Sequence, residues 1–343
     1  MKTTALVTGG TGYVASWIVK GLLEEGHDVR ITVRDKNKKE KYEHLLQIEK
    51  VTPGKLFVYE ADLLIEGSFD QAVEGSEVVF HTASPFFING IKDAYSQLVK
   101  PAQEGTRNLL QSVNKVSSVK RVVLTSSVAA VHGDNHDMEG KQEFTEEDWN
   151  KTSSLEHQPY NYSKTVAEKE AWKMAGEQNR WDLVTINPGF VLGPSLAKRT
   201  DSTSISTMLD ILKGTYKTGV PNLSFGIVDV RDVAKAQLLA AFTETASGRY
   251  IISNKEATLL DMAKIIENNF PGQFPLPKRE VPKPLMWLIA PMLGLTRQYV
   301  SKNVGHNLKL LNNKSKKELG MIYRSIESTL IDQKNQLESD GMI

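Results

Sequence analysis

Short apolar runs alternate with longer amphipathic stretches through the first half of this 343-residue chain. The runs rich in Val, Ile, Leu and Thr predict β-strands at residues 3–7, 28–33, 56–60, 77–82, 119–126 and 182–187. The stretches between them predict helices at residues 13–25, 37–50, 68–74, 93–116 and 159–178. Because such alternation is typical of βαβ units, we predict an α/β fold with a doubly wound parallel sheet and helices on both faces.

The longest uncharged apolar segment lies in the second half of the chain, at residues 284–296. It is shorter than the about 20 helical residues that cross a bilayer, and it contains Pro284 and Pro291. We therefore expect no membrane span. The segment is interpreted as a short buried helix, which is compatible with a lid over an apolar pocket, in preference to a membrane-surface or partner-binding segment.

Composition and charge narrow the function classes. The chain has 42 Lys and Arg against 41 Asp and Glu, so its formal net charge is +1. That balance provides no overall field to attract nucleic acid or an anionic membrane, and neither is expected as a partner. There is no cysteine, which excludes disulfides and thiolate metal sites. The first strand follows the N-terminus with no long apolar region before it, so we expect a cytoplasmic location.

The first predicted strand runs into a glycine-rich turn, and a predicted helix follows it. The spacing is Gly9-x-x-Gly12-x-x-Ala15. Glycines let the backbone approach a pyrophosphate, and the helix N-terminus favours its negative charge. An ordinary strand-to-helix turn is the alternative. We predict a dinucleotide site on a Rossmann domain of residues 1–188.

Beyond about residue 188 the sequence pattern changes. Gly- and Pro-containing spacers at residues 213–221 and 269–284 separate shorter predicted elements there. We predict that residues 189–343 form mainly a smaller α+β domain that binds substrate. A strand at 226–230 and a helix at 233–243 are expected to return to the first sheet, which makes the second domain discontinuous.

The residue that ends the second predicted strand distinguishes NADP(H) from NAD(H). An acidic side chain there binds the ribose 2′-hydroxyl, whereas arginine accommodates a 2′-phosphate. Here it is Arg34, followed by a lysine cluster that includes Lys41. Most of these lysines are interpreted as a solvated helix face. NADP(H) is favoured, and Asp35 keeps NAD(H) use open.

A phenol and an ammonium lie four residues apart in Tyr160-Asn-Tyr162-Ser-Lys164, on one face of a predicted helix. A nearby ammonium favours the phenolate and lowers the pKa of a tyrosine, which suits proton transfer. In a chain of this composition, one Tyr-x-x-x-Lys sequence has close to an even chance of occurring at random, so the motif alone is weak evidence. Ser127, at the carboxyl end of the fifth predicted strand, strengthens it because ligands of parallel sheets bind at those ends.

At this point the chain resembles the extended short-chain dehydrogenase/reductase family, in the branch of dihydroflavonol 4-reductase, cinnamoyl-CoA reductase and microbial NADPH-dependent aldehyde and ketone reductases. The motifs that carry the resemblance span nearly the whole chain. They are residues 8–15, Val33-Arg34-Asp35, Asp62-Leu63, His81-Thr-Ala83-Ser84-Pro85, Thr125-Ser-Ser127, residues 160–164, Asn187-Pro-Gly189, Gly193-Pro194 and Val228-Asp-Val-Arg-Asp232.

The resemblance implies roles for three residues. Ser127 would hydrogen-bond the substrate oxygen, Tyr160 would act as the acid, and Lys164 would hold the nicotinamide ribose and tune Tyr160. Ser126 competes with Ser127, which is preferred because it matches the second serine of the family's Thr-Ser-Ser. The residues assigned to cofactor binding are Thr8, Gly9, Gly12, Tyr13, Val14, Arg34, Lys41, Asp62, Leu63, Thr82, Ala83, Ser84, Tyr160, Lys164, Pro188 and Val191.

The implied activity is reduction of an aldehyde or ketone to the alcohol with NADPH, by a monomer or homodimer acting on a small carbonyl substrate. Two alternatives stay open: an NAD-dependent nucleotide-sugar epimerase or dehydratase, and a non-catalytic dinucleotide-sensing regulator. Residues 131–158 depart from the plant enzymes, and Phe86, Phe87 and Trp287 indicate an apolar substrate body. His81 and His132 are interpreted as packed or hydrogen-bonded side chains, and no spacing indicates a metal site.

Overall fold

The structure is a computed structural model that describes residues 2–84 and 92–343. The strands in these residues are β1 (Thr4–Thr8), β2 (Asp28–Val33), β3 (Lys55–Glu60), β4 (Val78–His81), β5 (Arg121–Thr125), β6 (Asp182–Pro188), β7 (Phe190–Leu192), β8 (Val220–Pro221), β9 (Ser224–Asp229), β10 (Gly248–Ile252), β11 (Lys255–Thr258) and β12 (Glu280–Val281).

The α-helices of the same residues surround these strands. They are α1 (Tyr13–Glu24), α2 (Glu43–Glu49), α3 (Asp70–Val73), α4 (Lys100–Lys115), α5 (Pro159–Gly176), α6 (Thr203–Leu212), α7 (Val230–Phe242), α8 (Leu259–Asn269), α9 (Lys283–Ile289), α10 (Arg297–Asn303), α11 (Asn313–Glu318) and α12 (Ile326–Ser339). One π-helical turn, Tyr95–Val99, leads directly into α4.

Seven parallel strands form the central sheet, in the order β3-β2-β1-β4-β5-β6-β10. The strand order reverses between β1 and β4, and this is where ligands bind in doubly wound sheets. The central strands are buried on both faces because helices cover both sides, which explains their nearly continuous apolar composition. The predicted doubly wound Rossmann-type sheet is confirmed.

Local boundaries differ from the prediction in a few places. The helix predicted at residues 37–50 begins later, because a 3₁₀ turn at Lys39–Lys41 precedes α2. The helix predicted at 68–74 shortens to α3. These are helix-end differences of the kind that fraying and capping produce, and they leave the topology unchanged.

The prediction assigned the strand at residues 226–230 to the wrong sheet. It forms most of β9, which pairs with β7 and β11 in a separate three-stranded sheet. The chain does return to the central sheet, through α7 packed on α1 and through β10 paired with β6. β10 was not among the predicted strands. Pairing partners depend on distant parts of the chain, which local periodicity does not encode.

A second hydrophobic core lies under the three-stranded sheet. It joins α6, α8 and α12 through side chains such as Met208, Met262 and Leu330, each nearly inaccessible to solvent. The domain boundary near residue 188 stays a prediction, as does the role of residues 189–343 in binding substrate.

The apolar segment at residues 284–296 is not a buried helix, which corrects the sequence interpretation. It forms α9 and a 3₁₀ turn that pack on α10 through Met286 and Ala290. Leu288 is 62% exposed and Met292 is 85% exposed. The Arg297 guanidinium lies over the Trp287 ring, with Cζ 4.4 Å from the ring centroid. Among the helices of the described residues, none has both the length and the apolar composition needed to cross a membrane.

Candidate active site

The ends of β1 and β4 are tied together at the switch point of the sheet. The Thr8 hydroxyl is hydrogen-bonded to His81 Nδ1 at 2.9 Å, and it accepts the backbone N–H groups of Thr82 and Ala83, each at 3.1 Å. The Thr8 side chain therefore ties the end of β1 to the last residue of β4 and to the two residues that follow it. Of these four residues, Thr8, Thr82 and Ala83 were predicted to lie at the cofactor site.

The glycine turn packs tightly between these strand ends and α1. Gly9 has φ +61°, a conformation that favours glycine, and a Cβ there would lie 3.2 Å from Ala83 Cβ. Gly12 is the N-cap residue of α1 and has no side chain that could cover the first-turn N–H groups of Tyr13 and Val14. A narrow backbone cradle at the N-terminus of a 12-residue helix fits the phosphates of a dinucleotide.

The residues predicted for the adenosine half lie at the β2–β3 side of the sheet. Arg34 directly follows β2 and is exposed, as is Lys41 in the 3₁₀ turn. Asp62 and Leu63 follow β3, where Asp62 Oδ1 accepts the Leu64 N–H at 2.8 Å. Arg34, Asp62 and Leu63 thus follow the carboxyl ends of two neighbouring strands, the edge of a parallel sheet at which ligands bind.

Ser127 and Tyr160 meet across the loop that follows β5. Tyr160 is the second residue of α5, and its side chain hydrogen-bonds that of Ser127. Burial raises the pKa of Tyr160 well above its usual value, and the Ser127 hydrogen bond opposes that rise. The phenol therefore holds its proton at neutral pH, which is the state that a proton donor needs.

Lys164 lies one helical turn after Tyr160, with its Nζ 5.9 Å from the centroid of the Tyr160 ring. Burial lowers the pKa of Lys164 to about 8, and the charge of Glu168 opposes this shift. The pKa of Tyr160 is nevertheless raised, because burial outweighs the opposing effect of the Ser127 hydrogen bond.

Ser126 and Ser127 have different partners, although they are adjacent in the chain. The Ser126 hydroxyl donates to the buried carboxylate of Glu168. The Ser127 hydroxyl faces Tyr160 and also accepts the Ala129 N–H at 3.1 Å. The geometry thus favours Ser127 over Ser126 as the hydroxyl next to Tyr160.

Glu168 organises a buried polar network behind these residues, and sequence reasoning missed it. Its carboxylate accepts Arg249 Nε at 2.6 Å and Asn187 Nδ2 at 2.8 Å, and Glu168 itself is fully buried. Asn187 Nδ2 also donates to the Ser127 carbonyl at 3.1 Å. A carboxylate one turn after Lys164 was a visible signal, but its partner Arg249 is 81 positions away in sequence.

The start of α5 is braced by a residue in an unusual conformation. Gln158, just before Pro159, has φ +54° and is the one non-glycine residue with positive φ in the described parts of the chain. Its Nε2 donates to the Gly133 carbonyl at 2.9 Å and to Asp134 at 2.6 Å. Strained backbone of this kind persists where surrounding contacts hold it, and here those contacts hold the residue that precedes α5.

The remaining predicted residues have mixed outcomes. Ser84, Ala83 and Lys164 line one small cavity at the ends of β4 and β5, together with His81. Pro188 ends β6 and Val191 lies in β7. Phe86 and Phe87 lie outside the described residues, and Trp287 lies on the exposed face of α9.

The two histidines are packed, as interpreted from sequence. His81 is hydrogen-bonded to Thr8, and His132 stacks on Phe144 with ring centroids 4.9 Å apart. Within residues 2–84 and 92–343, no group of three or more His, Asp or Glu side chains is arranged to hold a metal ion.

Comparisons with known proteins identify relatives for this arrangement. The sequence model of the 3-beta hydroxysteroid dehydrogenase/isomerase family matches residues 6–257. A cinnamoyl-CoA reductase (CAD2) from Medicago truncatula is 41% identical over 271 residues, which cover 78% of this chain and 80% of that protein.

Two solved structures share the whole architecture. The yeast methylglyoxal/isovaleraldehyde reductase Gre2, complexed with NADPH, superposes with a TM-score of 0.80 at 31% identity and covers 99% of this chain and 100% of its own. Vestitone reductase from alfalfa (Medicago sativa) superposes with a TM-score of 0.76 at 28% identity, with full coverage of both chains. The similarity therefore extends over the central sheet and the smaller region alike.

Proposed function

Because the chain belongs to the 3-beta hydroxysteroid dehydrogenase/isomerase family of extended short-chain dehydrogenases/reductases, we propose that it reduces an aldehyde or ketone to the alcohol with NADPH. The observation that carries the proposal is the Ser127–Tyr160 hydrogen bond with Lys164 one turn away, at the carboxyl edge of the sheet. The Gre2 relative was solved with NADPH, which supports the same cofactor here.

The cofactor residues fit this proposal by position. The glycine turn and the N-terminus of α1 would hold the pyrophosphate, and Arg34 and Lys41 would bind the 2′-phosphate. Asp62 and Leu63 would face the adenine, and Ala83 and Pro188 would border the nicotinamide half. Lys164 would donate to the nicotinamide ribose. Asp35 beside Arg34 leaves use of NADH as a second cofactor open.

Bound NADPH would supply the hydride that adds to the carbonyl carbon. Ser127 would donate a hydrogen bond to the carbonyl oxygen and orient it toward Tyr160. Tyr160 would give its proton to the same oxygen as negative charge develops there, and Lys164 would stabilise the resulting phenolate. The raised pKa of Tyr160 keeps the proton in place until that moment.

Steady-state assays with a carbonyl panel test the proposal. The panel should contain methylglyoxal, isovaleraldehyde and an aryl ketone, because the names of the relatives span small aldehydes and aryl substrates. We expect Tyr160→Phe to lower kcat by about 100-fold or more, as loss of a positioned general acid does. Isothermal calorimetry should show that Tyr160→Phe still binds NADP⁺, which separates loss of the acid from loss of the cofactor.

Tyr162→Phe is the matched control, since it removes a phenol from the same helix at a position outside the Ser127 contact. It should leave kcat within about twofold of the parent. Full turnover in Tyr160→Phe, or no oxidation of NADPH with any carbonyl of the panel, would count against the proposed reaction.

A further inference from the structure

The chain after β7 crosses from the smaller region to the glycine turn. Two side chains of α1 anchor its start: the Tyr13 hydroxyl donates to the Gly193 carbonyl at 2.6 Å, and Trp17 Nε1 donates to the Pro194 carbonyl at 2.9 Å. Both anchors lie in the first two turns of the helix whose N-terminus would receive the pyrophosphate. Residues 193–201 are therefore held beside the predicted cofactor site.

Arg199 extends from this segment onto the glycine turn itself. Its Nη1 donates to the Thr11 carbonyl at 3.2 Å, and Thr11 lies between Gly9 and Gly12. Its Nε and Nη2 make a bidentate pair with Asp201, at 2.8 and 3.2 Å. These contacts use three of the five N–H donors of a guanidinium, and two remain for a ligand among the described contacts.

The surroundings place Arg199 on the 2′-phosphate side of the turn. Its positive charge lowers the pKa of His44 on α2, after the larger effect of burial. Lys41, a predicted 2′-phosphate ligand, likewise contributes to lowering the pKa of Asp201, after Arg199 itself. Arg199 pairs directly with Asp201, and Lys41 acts on the same carboxylate, so these three charged groups border one region.

We propose that Arg199 is a further cation for the 2′-phosphate of NADP(H), held ready by Asp201 until the phosphate replaces that carboxylate. The inference rests on the proposed function and extends it, because the residue comes from the smaller region and lies 165 positions beyond Arg34. The Arg199 side chain is 17% exposed and Asp201 is 73% exposed. An ion pair with so exposed a carboxylate contributes little, whereas arginine binds a phosphate dianion through strong paired hydrogen bonds.

This arrangement links cofactor binding to the position of the segment. A 2′-phosphate bound by Arg199 and Lys41 would join residues 193–201 to the β2 side of the sheet. NAD⁺, which lacks that phosphate, would leave Arg199 paired with Asp201. The preference for NADP⁺ over NAD⁺ then depends in part on a residue outside the strand–turn–helix motif.

Calorimetric titration of the full chain with NADP⁺, NAD⁺ and 2′,5′-ADP tests the proposal without relying on turnover. In Arg199→Gln we expect NADP⁺ and 2′,5′-ADP to bind about tenfold more weakly, while NAD⁺ affinity changes less than about twofold. Asp201→Asn should bind NADP⁺ up to about threefold more tightly, because the competing carboxylate is gone. Lys198→Gln is the matched control, since its ammonium donates instead to the Asp340 carbonyl.

Equal weakening of NADP⁺ and NAD⁺ in Arg199→Gln would overturn the proposal, because it would assign Arg199 to the shape of the glycine turn. Unchanged NADP⁺ affinity would overturn it as well, as would an equal loss in Lys198→Gln. A parent protein that binds NADP⁺ yet reduces no carbonyl would contradict the proposed reaction alone and leave this inference supported by the titrations. A parent that binds neither dinucleotide would overturn both.

Discussion

His132 illustrates how burial sets the charge of a single side chain. It is 8% exposed, stacks on Phe144, and has both ring nitrogens buried without a hydrogen-bond partner among the described residues. Burial lowers the pKa of His132 to about 4, against small opposing effects of nearby carboxylates. The residue is therefore neutral in the folded protein near pH 7 and down to about pH 4.

We expect His132→Phe to reduce the sensitivity of stability to acid. The unfolded chain protonates His132 below about pH 6.5, while the folded chain does so only near pH 4, so stability is lost as pH falls through that window. Between about pH 7 and pH 5 this loss amounts to about 2 kcal/mol for the parent. Urea unfolding at both pH values measures it. If parent and variant lose the same free energy of unfolding, the assignment to His132 is wrong.

Among the secondary-structure elements, the glycine turn between β1 and α1 shows how tightly one connection can be packed. A Cβ on Gly10 would lie 2.5 Å from the Cβ and Cγ2 atoms of Ile31, a fully buried residue of β2. Gly176, at the end of α5, has nothing within 4 Å of such a Cβ. The two glycines thus differ in surroundings although each lies in or beside a helix end.

Gly10→Ala should destabilise the protein by about 1–3 kcal/mol, because an added methyl overpacks the space against β2. Gly176→Ala should instead stabilise it by up to about 1 kcal/mol, since alanine restricts the unfolded chain and meets no contact in the helix. Urea unfolding of both variants gives the comparison. A Gly10→Ala protein as stable as the parent would show that Ile31 moves aside freely.

On the scale of the whole molecule, one buried ion pair connects parts of the chain that are remote in sequence. Arg249 of β10 pairs with Glu168 of α5 and donates to the Ala130 carbonyl at 3.3 Å. Its guanidinium also stacks on Trp149, with Cζ 3.9 Å from the ring centroid. The last strand of the central sheet therefore supports the helix of Tyr160 and the loop after Ser127. Removing one partner of such a pair leaves an uncompensated buried charge.

We expect Arg249→Met to lower the free energy of unfolding by about 3–5 kcal/mol. Lys115→Met breaks an exposed contact instead, the Lys115–Asp70 pair between α4 and α3, in which the two side chains are 56% and 44% exposed. Its loss should therefore cost about 1 kcal/mol or less. Guanidinium unfolding curves of both variants measure the difference. Similar losses would show that burial does not govern these two pairs.

Local patterns in the sequence determined the part of the fold that repeats. The first six strands of the central sheet, the glycine turn and the Tyr160–Lys164 helix were all predicted, because strand and helix periodicities and turn glycines act within a few residues. The proximity of Ser127 to Tyr160 followed from the rule that ligands bind at the carboxyl ends of parallel strands. Their catalytic roles stay predictions.

Only the tertiary structure decided which distant segments meet. It assigned residues 226–229 to the second sheet, brought Arg249 to Glu168, placed Arg199 on the glycine turn, and exposed the apolar face of α9. The local periodicity of the sequence predicts none of these contacts, because the free energy of a contact depends on the partner that the folded chain presents. A buried arginine or an exposed leucine is defined by its neighbours, and those neighbours lie far away in sequence.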